Sequence, residues 1–175
     1  GTFEVRVFGL VPGLGSHISW EDRLNGRLAQ AICSIQSIKG ASIGQARDVA
    51  GRPGSEAHDE IFYSEERGYY RETNHAGGLE GGMTNGMPLS VRAAVKPIST
   101  MTKPLRSGDM STNEPAKAHK ERTDSSVVPA AAVVGDAVHL LAVGLHHLAD
   151  EVDDGVRLVL VEEVERLEAG VVLHD

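Results

Sequence analysis

The residues best suited to chemistry lie between Arg71 and Thr100, where glycines, a lysine and hydroxyl side chains fall close together. Gly77, Gly78, Gly81, Gly82 and Gly86 follow one another too closely for a helix, because each interior glycine costs about 1 kcal/mol relative to alanine. Glycine suits a backbone that takes a positive φ or closely approaches a ligand, and the exposed N–H groups of such a loop can bind an anion. The segment therefore predicts a shaped loop, with a phosphorylated ligand as the first candidate.

A strand pattern leads from this loop to a second group of donors. Leu89, Val91, Ala93 and Val95 alternate with more polar residues, and the run Lys96, Pro97, Ile98, Ser99, Thr100 follows. Pro97 cannot donate to a β-ladder, so the strand should end near Lys96. A lysine and two hydroxyls at that point can hold a phosphate. An exposed lysine can equally protect a sheet edge against aggregation, and spacing alone leaves both interpretations open.

Gln36 and Ser37 end a predicted amphipathic helix that starts near Ser19 and Asp22 and continues to Gly40. Their polar side chains could face a cleft. Spacing alone favours the alternative, a solvated last turn with Lys39 complementing the helix dipole.

Arg122 and Asp124 lie just before an apolar helix that carries Pro129 in its first turn and continues to about Asp150. Asp124 or Ser125 could simply cap that helix. An arginine two residues from an aspartate also suits an anion with a carboxylate nearby.

We predict no metal site. His58, Asp59 and Glu60 have the residue types of metal ligands, but such a triplet in a polar loop is more often surface. The adjacent His146 and His147 point to different sides of a helix and do not form the i, i+4 pair of a helical zinc site.

Composition limits the classes of function. A chain of 175 residues with 41% hydrophobic residues fits one globular domain, and a formal charge of −8 argues against general nucleic-acid binding. The single cysteine cannot form an internal disulfide, and no apolar run approaches the roughly 18 residues of a membrane helix. We therefore expect no membrane or nucleic-acid partner and a cytoplasmic location. Because the chain starts inside a strand pattern, we also expect a fragment.

The remaining segments are predicted from their periodicity. Thr2 to Leu10 alternates as a strand with one buried face. Residues 45–68 and 103–122 show no sustained period and are predicted to be connections, while 156–167 fits either a strand or a helix.

Four stretches resemble the chorismate synthase family and occur in the family's order. They are GLGSHISWEDRLNGRLAQAICSIQSIKG (13–40), GSEAHDE (54–60), TNHAGGLEGGMTNGMPLSVRAAVKPIST (73–100) and ERTDSSVVPAAAVV (121–134). The resemblance implies an α+β fold, the family's β-α-β sandwich of antiparallel strands packed with helices. It makes residues 1–150 the C-terminal half of a chorismate synthase domain and 151–175 a divergent tail.

The same resemblance implies a lyase of aromatic amino acid biosynthesis, usually a homotetramer. The family eliminates phosphate from 5-enolpyruvylshikimate 3-phosphate to give chorismate, using reduced FMN without net redox change, with NADPH as a candidate flavin reductant. Asp124 matches an aspartate near the flavin that is implicated in proton handling. The family's FMN contacts carry over onto Gln36, Ser37, Gly81, Lys96, Pro97, Ile98, Ser99, Thr100 and Arg122.

The chain also departs from the family. The family's N-terminal half, with its two catalytic histidines and most of its substrate-binding arginines, has no counterpart here, and His17 lies in a different motif. We therefore expect one part of a flavin phosphate pocket, in which the glycine loop, Lys96 and Arg122 converge and a neighbouring copy or the other half completes the site. We expect little activity from the chain alone. The alternatives are a non-catalytic FMN- or nucleotide-binding module and an oligomerisation half.

Overall fold

The computed structural model describes residues 1–120, 126–143 and 157–163, with the backbone alone for 136–143 and 157–163. The elements in chain order are β1 (Thr2–Phe8), α1 (Leu24–Cys33), β2 (Ile38–Ile43), α2 (Ala46–Val49), α3 (Gly54–Ala57), β3 (Phe62–Ser64), β4 (Gly68–Tyr70), β5 (Leu79–Glu80), β6 (Met83–Thr84), β7 (Leu89–Val95), β8 (Arg106–Gly108), β9 (Pro115–Lys117), α4 (Val128–Val143) and β10 (Arg157–Glu163).

A four-stranded antiparallel sheet in the order β10-β1-β7-β2 forms the centre of the described chain. Val5 of β1 pairs with Val91 on one side and Leu160 on the other. The helices α1 and α4 pack against each other and against this sheet. Antiparallel strands packed with helices confirm the predicted α+β class.

The core lies between the sheet and the two long helices, because the strand alternation turns one set of side chains toward them. Leu24, Leu28 and Ile32 recur every four residues on α1 and are buried, as predicted from their spacing. Helix α4 approaches β1 closely at Gly135, where an added Cβ would lie 2.6 Å from Cε2 of Phe3. The buried strand residues are Phe3, Val5, Val7, Leu89, Val91, Ala93 and Val95.

The prediction that the first helix continues to Gly40 is wrong. The helix ends at Cys33, and Ser37 takes a left-handed conformation with φ 70° that turns the chain. Residues from Ile38 onward then pair with β7 as strand β2. Ile35 and Ile38 continue the helical spacing, but Ile38 is buried in β2 and not on the helix. Pairing with the central strand β7 outweighs that spacing.

Two predicted connections contain structure of their own. Residues 45–68 hold α2, α3 and most of the β3–β4 hairpin, whose cross-strand aromatic pairs stabilise it. Residues 103–122 hold the β8–β9 hairpin. The ambiguous stretch at 156–167 contains β10, a strand paired with β1, so the predicted tail joins the central sheet.

The strands predicted around Val5 and Val91 are confirmed. His146 and His147 lie outside the described residues. Within the part of the chain that the structure describes, none of the helices has the length and apolar character needed to cross a bilayer.

Candidate functional site

A pocket of about 430 Å³ opens where the chain leaves β7. Its described lining holds two lysines and three hydroxyl side chains but no carboxylate, although the chain as a whole carries a formal charge of −8. Cations and hydroxyl donors without a competing acid are suited to binding an anion. The lining residues are Gly1, Lys96, Pro97, Ile98, Thr100, Met101, Thr102, Lys103, Ser126, Val127 and Val128.

Ser37 is hydrogen-bonded to Lys96 of this pocket, although neither Ser37 nor Gln36 is among the described lining residues. The backbone N–H of Lys96 donates to the carbonyl oxygen of Ser37 at 2.8 Å. Ser37 has the left-handed φ of 70° described above, which is unusual for a residue other than glycine. Gln36 precedes it in the same turn, and its side chain is exposed. The sheet pairing of β2 with β7 thus brings together two predicted segments that are about 60 residues apart in sequence.

The start of α4 also lines the pocket, through Ser126, Val127 and Val128. The Ser126 hydroxyl accepts a hydrogen bond from the N–H of Val128 at 3.2 Å and so caps the helix. Arg122 and Asp124, which precede Ser126 in the sequence, lie outside the described residues. Of the run after β7, Lys96, Pro97, Ile98 and Thr100 line the pocket, whereas Ser99 is exposed and is absent from the described lining.

The glycine loop has the backbone geometry that its sequence predicts. All five of its glycines have positive φ. Gly77 packs against Gly44 at the end of β2, so closely that a Cβ on either residue would overlap the backbone of the other segment. The loop therefore joins the end of β2 to the beginning of β7 through backbone contact.

The N–H groups at the start of this loop do not form an open anion site. Asp59 Oδ1 accepts the N–H of His75 at 2.8 Å and the hydroxyl of Thr73 at 2.6 Å, and Asp59 Oδ2 accepts the N–H of Ala76 at 2.9 Å. The N–H of Gly78 donates to Asn74 Oδ1 at 2.8 Å. The expected anion cradle is thus wrong for residues 75–78, because internal acceptors already occupy those donors.

Asp59 is the residue that holds this part of the loop in place. Its side chain is 1% exposed. Burial acts to raise its pKa, but the hydrogen bonds from Ala76, Thr73 and His75 outweigh burial and lower the pKa. The carboxylate is therefore used structurally, and the described residues contain no group of three or more potential metal ligands around it or elsewhere.

Gly81 lies near the start of α1, whereas Lys96 contacts Ser37, which follows the end of that helix. Gly81 occupies the turn between β5 and β6, which is held beside the start of α1 by a hydrogen bond from the N–H of Leu24 to the carbonyl of Gly82 at 2.9 Å. Ser37 follows the end of α1, and a ten-residue helix is about 15 Å long. Of the described residues that line the Lys96 pocket, none comes from the glycine loop. The described chain thus places Ser37 beside Lys96 but does not bring Gly81 to them.

Two features of the site were missed in the sequence. Lys103 and Thr102 line the pocket beside Thr100, and the hydroxyl-rich run from Ser99 to Lys103 was a signal for them. Asp59 holds the start of the glycine loop through hydrogen bonds to residues 14 to 17 positions away along the chain, so no local pattern could have revealed this role.

Comparison with known proteins identifies relatives over most of the chain. The family model for chorismate synthase matches residues 1–148. The chain is 57% identical over 138 residues to chorismate synthase of Aquifex aeolicus, covering 79% of this chain and 35% of that protein. It is 49% identical over 148 residues to chorismate synthase of Alkaliphilus metalliredigens, covering 85% of this chain and 39% of that protein.

A solved structure agrees with these matches. A crystal structure of chorismate synthase superimposes with a TM-score of 0.66 at 44% identity, covering 86% of this chain and 37% of the other. This chain therefore spans little more than a third of the length of the relatives it matches.

Proposed function

The chain belongs to the chorismate synthase family, and we propose that its part in that enzyme is to bind the phosphate end of FMN in the pocket beyond β7. The observation that carries this proposal is the pair of lysines and the hydroxyl groups around Thr100 and Ser126, in a lining whose described residues include no acidic side chain. Anionic cofactors require such compensating charge in a site that also admits a phosphorylated substrate.

The residues present fit a flavin phosphate. Lys96 is exposed at the end of β7 and forms no salt bridge with any described residue, so its ammonium is available to a ligand. Lys103 lines the same pocket as a further cation, and Pro97 fixes the direction in which the chain leaves the strand. Ser37 would present its hydroxyl next to Lys96 through their shared backbone hydrogen bond.

The reaction we propose for the whole enzyme is the family's elimination of phosphate from 5-enolpyruvylshikimate 3-phosphate to give chorismate, in the aromatic amino acid pathway. When bound, reduced FMN would supply electron density that assists loss of phosphate without net redox change. Lys96 would orient the cofactor and offset its charge. Arg122 would contribute a further cation, and Asp124 would take part in proton transfer near the flavin.

Further properties are proposed on the same family basis. These are NADPH as a flavin reductant, a homotetrameric assembly and a cytoplasmic location. Gly81 belongs to this proposal as an FMN contact, but its position near the start of α1 requires that it contact either a different part of the flavin or a flavin bound in another copy. The alternative of a non-catalytic FMN-binding module differs in predicting cofactor binding without turnover.

The test is a titration of this chain with FMN, in which the quenching of flavin fluorescence measures binding. We expect saturable binding, and we expect Lys96→Ala to weaken it by roughly tenfold or more, since hydrogen bonds to charged groups contribute about 1.5–3 kcal/mol. Lys117→Ala removes an exposed lysine on β9 that does not line the pocket and should leave the affinity unchanged. Equal affinities for wild type and Lys96→Ala would exclude this role for the lysine.

A further inference from the structure

Four asparagines occur in the chain, and a glycine follows two of them, Asn25 and Asn85. An asparagine before a glycine has a reaction open to it, because glycine has no Cβ to keep the asparagine side chain away from the next backbone nitrogen. That nitrogen can attack the side-chain amide carbon and release ammonia. Whether it does so depends on how the fold holds each pair, and the two pairs are held differently.

Asn85 lies between β6 and β7, with its side-chain carbonyl turned toward the residues that follow it. Its Oδ1 accepts a hydrogen bond from the N–H of Met87 at 3.0 Å, which folds the side chain over the intervening Gly86. The same hydrogen bond polarises the carbonyl and stabilises negative charge on Oδ1 while a nucleophile adds to the carbon. The amide carbon of Asn85 is thus both oriented toward Gly86 and activated.

The nitrogen of Gly86 is available as that nucleophile. Gly86 is exposed, and its N–H donates no hydrogen bond to any described residue. The surrounding turn is fixed, since the N–H of Asn85 donates to the carbonyl of Gly78 at 3.0 Å and Asn85 Nδ2 donates to Glu80 Oε2 at 2.9 Å. A reactive arrangement that the fold already holds costs little further entropy.

Asn25 has the opposite arrangement. It is the second residue of α1, and in an α-helix each Cα–Cβ bond tilts toward the helix N-terminus. The side chain is therefore directed away from the nitrogen of Gly26, and the first turn must open before the two groups can meet. Exposure alone would rank the sites the other way, because Asn25 is exposed and Asn85 is half-buried.

We propose that Asn85 is a site of spontaneous deamidation and that the fold protects Asn25. The nitrogen of Gly86 forms a bond to Cγ of Asn85, and the bond from Cγ to the side-chain nitrogen breaks. That nitrogen leaves as ammonia, with the proton that the Gly86 nitrogen gives up. Water then opens the resulting succinimide ring to aspartate or isoaspartate. The reaction needs no oxidant, reductant or second protein, and it does not depend on flavin binding.

The product would change the charge of the glycine loop. Glu80 Oε2 accepts hydrogen bonds from Asn85 Nδ2 and, at 2.7 Å, from Arg71 Nη2. An aspartate at position 85 removes one of these donors and places a carboxylate of like charge beside Glu80. Isoaspartate also lengthens the main chain by one methylene group just before β7. We therefore expect deamidation to destabilise this part of the fold.

Peptide mapping of the wild-type chain tests the proposal. The chain is kept in mildly alkaline buffer, which favours the deprotonated backbone nitrogen, and samples are digested with trypsin over time. Cleavage after arginine delivers the two Asn-Gly pairs in separate peptides, 24–27 and 72–92. Mass spectrometry measures the deamidated fraction of each, and fragmentation distinguishes Asn85 from Asn74 in the longer peptide.

We expect Asn85 to deamidate at least about tenfold faster than Asn25 in the folded chain, because a helix opening free energy of about 1.4 kcal/mol already slows attack tenfold. In concentrated urea the two rates should converge, since neither pair is then held. A folded chain in which Asn85 reacts no faster than Asn25 would overturn the proposal.

A pair of variants checks the effect on the loop. Asn85→Asp should lower the midpoint of urea denaturation, because its new charge faces Glu80. Asn25→Asp introduces the same charge in the first turn of α1, where the helix dipole favours it, and should not lower the midpoint. Equal midpoints for Asn85→Asp and the wild type would refute the expected destabilisation.

Discussion

Glu4 lies on the face of β1 that is turned away from the helices, and its carboxylate joins three neighbouring side chains. It accepts hydrogen bonds from Arg6 Nε at 2.6 Å, Ser90 Oγ at 2.8 Å and Arg92 Nη2 at 3.0 Å. The residue is only 5% exposed. Burial acts to raise its pKa, but these hydrogen bonds and the positive charge of Arg6 lower the pKa from 4.5 to about 2.

This pKa difference sets the expected effect of removing the charge. A fall from 4.5 to about 2 corresponds to about 3 kcal/mol of stability, at about 1.4 kcal/mol per pKa unit. The two arginine side chains are 44% and 46% exposed, so water screens them and the effect should be nearer 2 kcal/mol. Because folding lowers the pKa, the contribution is complete above pH 4.5 and is lost as the pH falls toward 2.

The assay is urea denaturation of the wild type and of Glu4→Gln at pH 7 and at about pH 3. We expect a stability difference of about 2 kcal/mol at pH 7 that shrinks clearly at the lower pH. Glu21→Gln, at an exposed position before α1, serves as the control and should change little at either pH. The same difference for Glu4→Gln at both pH values would refute the reasoning, because a loss of packing alone does not depend on ionisation.

Three further predictions concern backbone and loop positions. Ser37→Gly should raise stability by up to about 1 kcal/mol by relieving the left-handed φ of 70°, yet weaken FMN binding in a fluorescence titration; unchanged affinity would show that the hydroxyl is not a ligand. Gly135→Ala should lower the Tm despite a better helix propensity, because the new methyl would meet the buried ring of Phe3 and overpacking costs about 1–3 kcal/mol; a raised Tm would contradict the close packing of α4 on β1. Asp59→Asn should cost about 2 kcal/mol in urea denaturation, because its acceptors are buried, and should cost clearly more than Asp109→Asn in the exposed β8–β9 turn.

Elements whose signal lies within a few residues could be predicted from the sequence. The alternation around Val5 and Val91 reports which strand face is buried, and the glycine spacing between Gly77 and Gly86 reports positive φ. Both patterns follow from local geometry. The end of α1 could not be predicted in this way, since Ile38 fits a helix by spacing and leaves it only because β7 offers strand pairing.

The candidate site likewise has features that follow from local sequence and features that depend on tertiary contacts. Residue type and order marked Lys96, Ser37 and the glycine loop as candidates, because cations, hydroxyls and glycines have distinct chemistry wherever they occur, and the family resemblance favoured a role in FMN binding for them. Which of them lie together depended on pairing between distant segments. The β2–β7 ladder places the Ser37 carbonyl on the Lys96 N–H, and α1 separates Gly81 from both. Local sequence determined the available donors, and the tertiary structure decided which donors share a pocket, because hydrogen bonding across a sheet depends on register and not on distance along the chain.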